Sequence, residues 1–96
     1  MNFQVYIIYS PSTDTFYVGQ TADLNLRLEQ HNQGFFHNAN TSKVNDWEIF
    51  HTIHCNSRRQ ALLIEKHIKR MKKREYYHNL KKYPEIQAKL IVKYHD

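Results

Sequence analysis

Phe3-Gln4-Val5-Tyr6-Ile7-Ile8-Tyr9-Ser10-Pro11-Ser12-Thr13-Asp14-Thr15-Phe16-Tyr17-Val18-Gly19 sets two runs of β-type residues around a turn. Residues 3–9 are β-branched and aromatic, which fits a strand. Pro11 to Asp14 is a polar turn cluster. Phe16-Tyr17-Val18 resumes strand character and stops at Gly19. The two runs are expected to pair as an antiparallel hairpin. Alternation puts Phe3, Val5, Ile7 and Tyr9 on one face and Gln4, Tyr6 and Ile8 on the other.

Downstream, Thr21 is the expected N-cap of a helix with Asp23 in its first turn. Leu24, Arg27, Leu28 and His31 fall at i, i+3, i+4 and i+7, the spacing of a core-facing stripe. Two of the four are polar, which packing alone does not explain. The helix is expected to end near Gly34. Residues 35–46 read as a surface loop, and Trp47–Ile53 as a third strand. Ser57 and Gln60 form a capping-box pair opening a long helix whose apolar stripe is Ala61, Ile64, Ile68 and Met71. Tyr83-Pro84 interrupts the chain, with a short closing helix over residues 85–94. No linker or repeat divides the 96 residues. The expectation is a single domain over residues 1–96, with an α+β fold: a small three-stranded antiparallel sheet flanked by helices.

Composition narrows the function classes. Hydrophobic residues at 41% and charged residues at 24% suit a folded domain and not a disordered chain. The single cysteine, Cys55, excludes an internal disulfide framework. No apolar run approaches the ~20 residues of a membrane span. The first residues lack the pattern of a signal peptide, so a cytoplasmic location is expected. Residues 57–96 hold 12 Lys and Arg against 4 Asp and Glu, whereas residues 1–56 hold 2 against 5. That asymmetry suits a polyanionic partner such as nucleic acid, or else a solvated helical face.

Taken alone, Tyr6 and Tyr17 read as core aromatics. Glu65 is harder to dismiss, because it lies beside the apolar stripe of the long helix. A carboxylate there needs an ion pair, with Arg27 or a nearby lysine, or a bound cation. His51, His54 and Cys55 do not read as a zinc site, since residues 51 and 54 point to opposite faces of their strand.

In order, these residues resemble the GIY-YIG nuclease superfamily, in particular its short stand-alone bacterial members. Gln4-Val5-Tyr6 stands for the first half of the signature and Tyr17-Val18-Gly19 for the second, with Gln4 replacing a glycine. The helix bearing Arg27 and His31 and the run Ala61-Leu62-Leu63-Ile64-Glu65-Lys66-His67-Ile68-Lys69 complete the match, which covers residues 3–73 and leaves 74–96 as a basic helical segment.

The resemblance implies a metal-dependent endonuclease that hydrolyses DNA phosphodiester bonds, possible substrates including nicked or branched DNA. It implies that Tyr6 activates water, Tyr17 orients water or phosphate, Arg27 binds a phosphate oxygen and His31 assists the proton relay. It further implies that Glu65 holds Mg²⁺ (or Mn²⁺), and that Gly19 allows close backbone approach to the substrate. A free tyrosine with pKa ~10 is only about 0.1% ionised at pH 7, so Tyr6 needs positive charge nearby, which Arg27 and a metal would supply. Phosphate contacts are expected from Lys43, Arg58, Arg59, Lys69, Arg70, Lys72, Lys73 and Arg74. A catalytically inactive nucleic-acid-binding module and a structural or interaction protein are the competing readings. The sequence leaves monomer or homodimer open.

Overall fold

The computed structural model describes residues 2–34 and 44–95. The elements run β1 (Phe3–Ser10), β2 (Thr15–Thr21), α1 (Leu24–Asn32), β3 (Glu48–Cys55), α2 (Arg58–Met71), α3 (Arg74–Lys82) and α4 (Pro84–Lys93). The three strands form one antiparallel sheet in the order β2-β1-β3. The expected hairpin is β1–β2, with Tyr6 opposite Gly19 and Ile8 opposite Tyr17. Its turn closes at Asp14, whose φ of 52° is left-handed, a conformation that Asp tolerates better than most side chains. Asp46 fastens the same corner to the approach of β3: its carboxylate accepts from Ser10 Oγ at 2.6 Å and from Ser12 N at 2.9 Å.

β1 is central, so its alternation feeds two cores. Val5 and Ile7 join Val18, Ile53, Ala61, Ile64, Ile68, Leu80 and Leu90, buried under α2, α3 and α4. Tyr6 and Ile8 pack with Trp47, and around them Tyr17, Leu24 and Leu28, on the face that α1 covers. The sheet is therefore sandwiched, and the Leu24–Arg27–Leu28–His31 stripe faces it as its spacing predicts. The β1–β3 register shifts by one residue between Ile7 and Ile8, where Phe50 stands as the extra residue of β3 between His51 and Ile49. His51 lies opposite Ile7 and His54 opposite Gln4, on the two faces of the sheet.

Several local expectations are corrected. Asp23, not Thr21, caps α1: its side chain accepts from Leu26 N at 3.1 Å, while Thr21 Oγ1 accepts from Asp23 N just before the helix. Ser57 caps α2 as expected by accepting from Gln60 N. Gln60, however, accepts from Asn56 N and donates to Ile91 O, so this fully buried amide ties α2 to α4. β3 starts at Glu48 and runs on to Cys55, with Trp47 buried just before it. The basic helix is not continuous: α2 ends at Met71, capped by Lys72 in the left-handed conformation with φ 52°, and α3 starts afresh at Arg74. Met71 consequently lies on the exposed last turn, 39% accessible, and not in the core. Tyr83 ends α3 and leads into Pro84 at the first position of α4, where a missing N–H costs nothing.

Candidate active site

Three rings from three different elements meet on the α1 face of the sheet. Tyr6 projects from the central strand, Tyr17 from the edge strand β2, and His31 from the last turn of α1. Their centroids lie 6.5 Å (Tyr6–Tyr17), 5.8 Å (Tyr6–His31) and 4.9 Å (Tyr17–His31) apart. The Tyr6 hydroxyl and His31 Nε2 are hydrogen-bonded at 2.9 Å, with both residues buried. α1 is held at this angle through Asn32, whose amide donates to Trp47 O at 3.0 Å and accepts from Trp47 N at 2.6 Å. Sequence reading passes over Asn32, because its partner is fifteen residues away and backbone.

Gly19 has a role that the register makes plain. It stands opposite Tyr6, whose ring leans across it. A Cβ here would overlap the Tyr6 hydroxyl and lie only 2.5 Å from Cζ and 3.0 Å from Cε2. The close approach seen at Gly19 is that of the Tyr6 ring. Glycine is needed for space and not for backbone conformation.

Burial and charge set the protonation of the site. Burial pushes the Tyr6 phenol well above its ordinary value; the neighbouring Tyr17 and Glu65 push the same way, and only Arg27 opposes them. The expectation that Arg27 would favour the phenolate is right in sign and outweighed in size. Burial, helped by the Arg27 charge, lowers His31 from 6.5 to about 4. The imidazole is neutral at pH 7, and the Tyr6–His31 pair holds its protons in uncharged groups.

Glu65 approaches from the other side of the sheet. It stands on α2, which packs against both β1 and β2, and its side chain is 17% accessible. Its ion-pair partner is Lys69, one turn on, at 2.6 Å, one of the lysines the sequence allows. The Lys69 ammonium also lies 5.7 Å above the centre of the Tyr17 ring. Glu65 lines an open groove of about 560 Å³ with Leu62, Leu63, Lys66, Lys69, Arg70 and Lys72. Lys66 is not among the expected phosphate contacts, although its spacing of three and four from Lys69 and Arg70 puts it with them.

The remaining basic residues spread more widely than one helix would place them. Arg58 bonds Gln20 on β2 at 3.4 Å and covers the Phe3 ring. Arg59 and Lys73 are exposed. Arg74 is drawn away to the hairpin turn, where it pairs with the Asp14 carboxylate at 3.0 and 3.1 Å and stacks on Phe16. Lys43 lies outside the described residues.

Among the described residues no three His, Cys, Asp or Glu side chains converge on a metal position. One carboxylate of Glu65 facing a cationic groove fits a divalent cation whose other ligands are water and a substrate phosphate, a common Mg²⁺ environment. It does not fit a cation caged by protein alone. No helix among the described residues is long and apolar enough to cross a membrane.

No curated protein and no solved structure matches the chain. The family model described as the GIY-YIG catalytic domain matches residues 2–83, from the start of β1 through the end of α3. With a three-stranded antiparallel sheet, the Tyr6–Tyr17 pair on adjacent strands and a glycine that accommodates the first tyrosine, the chain belongs to the GIY-YIG family of nuclease-type domains.

Proposed function

We propose that the protein is an active endonuclease that hydrolyses DNA phosphodiester bonds at the Tyr6–Tyr17–His31 cluster, with Arg27 and Glu65 completing the site. The observation that carries this reading is the buried 2.9 Å hydrogen bond between the Tyr6 hydroxyl and His31 Nε2. A phenol held near its neutral form is a poor base by itself. Bonded to a neutral imidazole it becomes a relay: Tyr6 removes a proton from the attacking water while passing its own to Nε2, with His31 protonated on Nδ1 beforehand. The water oxygen bonds to phosphorus as the bond to the departing oxygen breaks, and no full phenolate accumulates.

Arg27 supplies the link to substrate. Its charge is one of the two causes holding His31 down. A phosphate taking up that charge relieves His31, so the imidazole accepts a proton more readily when substrate is bound. Tyr17, tilted against His31, orients the water or the phosphate. Glu65 would hold a divalent cation, Mg²⁺ or Mn²⁺, which supplies positive charge for the leaving oxygen. The groove lysines and Arg70 contact the substrate backbone, and these contacts carry no sequence information.

The test is single-turnover cleavage of nicked, branched, single-stranded and duplex DNA with Mg²⁺ or Mn²⁺, wild type beside Arg27→Ala. Metal-dependent cutting that Arg27→Ala abolishes, with DNA binding retained, is the expected result. Cleavage unaffected by Arg27→Ala would refute the site. Wild type that binds DNA in a salt-sensitive manner and cuts none of these forms would make the protein a binding module of the same fold.

A further inference from the structure

The cation seat of Glu65 is already filled by the protein's own ammonium group. Lys69 Nζ lies 2.6 Å from Glu65 Oε2 and 5.7 Å above the Tyr17 ring, so carboxylate and aromatic face hold it from two sides. Both partners belong to the candidate site. Both Glu65 and Lys69 line the same open groove, with Lys66, Arg70 and Lys72 around them. Among the described residues, Glu65 is the only acidic one of that lining. A metal ion approaching the free protein therefore meets four cationic side chains and a carboxylate that is already neutralised.

We propose that Lys69 competes for the metal position at Glu65 in the free protein and yields it more readily when a substrate phosphate takes over its ammonium, so that metal and DNA bind as a coupled pair. This rests on the nuclease reading for the identity of the metal ligand and adds an order to it. A phosphate in the groove offers Lys69 a doubly useful partner, because it attracts the ammonium and supplies further oxygen ligands to the cation. Each ligand then strengthens the other by the same factor, as thermodynamic linkage requires. In the absence of DNA the ammonium competes for the seat and weakens cation binding there. Lys69 is a positioning residue in this scheme: it governs when Glu65 becomes available and does not touch the reacting atoms.

The experiment is Mn²⁺ binding followed by electron paramagnetic resonance, on wild type, Lys69→Met, Lys72→Met and Glu65→Gln. Each is measured alone and with duplex DNA, with Glu65→Gln subtracting sites on the DNA itself. Without DNA, Lys69→Met should bind Mn²⁺ about fivefold more tightly than wild type, the scale of one partly exposed ion pair removed. Lys72→Met removes a groove charge without a bond to Glu65 and should gain much less. DNA should tighten the wild-type site about fivefold more than it tightens Lys69→Met, because only the wild type has an ammonium to displace.

Equal affinities of wild type and Lys69→Met without DNA would overturn the proposal, as would an equal gain in Lys72→Met. If wild type also cleaves DNA in that case, the function stands and only the gating falls. If Lys69→Met binds Mn²⁺ as expected and no DNA form is cut, the seat exists and the nuclease reading fails.

Discussion

A single methyl group at residue 19 tests the geometry of the tyrosine site most directly. Gly19 lies in strand β2, outside the left-handed region, so alanine is compatible with its backbone. Gly to Ala in such a place ordinarily stabilises by roughly 0.4–1 kcal/mol, because the unfolded chain loses freedom. Here the sign should reverse. The new Cβ would stand 2.5 Å from Tyr6 Cζ and closer still to its hydroxyl, where carbon atoms settle at about 3.5–4.0 Å. The ring must retreat by about 1 Å. Tyr6 is 2% accessible, so it has nowhere to go without displacing neighbours.

Overpacking of this kind costs about 1–3 kcal/mol, and loss of the hydrogen bond to His31 adds about 1 kcal/mol. A destabilisation of about 2–4 kcal/mol should appear in urea unfolding. Cleavage should fall at least ~100-fold, since a shift of about 1 Å in a reacting group costs that much. The decisive comparison is the same substitution in a Tyr6→Leu background. Leucine lacks the hydroxyl, Cζ and Cε2, so Gly19→Ala should there be neutral or mildly stabilising. If Gly19→Ala costs as much in the Tyr6→Leu background as in wild type, or costs nothing in wild type, the close approach is not the reason for glycine.

Four further outcomes are expected. Glu65→Gln keeps shape and loses charge, so metal-dependent cleavage should drop by ~100-fold or more with the far-UV circular dichroism unchanged. His31 titrates at 6.5 when unfolded and at about 4 when folded, so the unfolded chain binds more protons between those values. Its contribution is complete above about pH 6.5 and is lost as pH falls through 4, up to roughly 3 kcal/mol in urea melts, and His31→Gln should flatten that slope. Lys72→Gly relieves a left-handed non-glycine residue and should stabilise by about 1 kcal/mol in the same melts. Reversing Lys72 and Lys73 to Glu should weaken binding alike for all duplex sequences and flatten the dependence of log affinity on log salt, each lost phosphate contact lowering the slope by about 0.9.

Much of this architecture is legible because it is written locally. The run Phe3–Tyr9, the turn and Phe16–Gly19 specify a hairpin through β propensity and turn chemistry, and alternation places Tyr6 opposite to Val5 and Ile7. Arg27 and His31 are visible as polar interruptions of an otherwise apolar helical stripe. What escapes the sequence is non-local or conformational. Nothing between Lys69 and Arg74 announces a break, since Lys72 adopts a left-handed cap that sequences usually assign to glycine. Arg74 reads as one more basic residue until Asp14, sixty positions earlier, is brought against it. Gln60 resembles half of a capping box, yet its amide joins two helices across the fold. The Glu65–Lys69 pair is readable as one of two alternatives, and only the orientation of α2 chooses between them.

The two helices that furnish the site lie on opposite faces of the sheet, and this bears on how the chain becomes competent as it folds. Tyr6, Tyr17, Arg27 and His31 come from the first third of the sequence and can assemble from one hairpin and one helix. Glu65 joins them only through the docking of α2 on the far face, by contacts of greater sequence separation that cost more loop-closure entropy. A chain with α2 undocked would thus hold the proposed relay and lack the proposed metal ligand. The proposed site is therefore complete only where Ile64 and Ile68 are buried and α2 is seated.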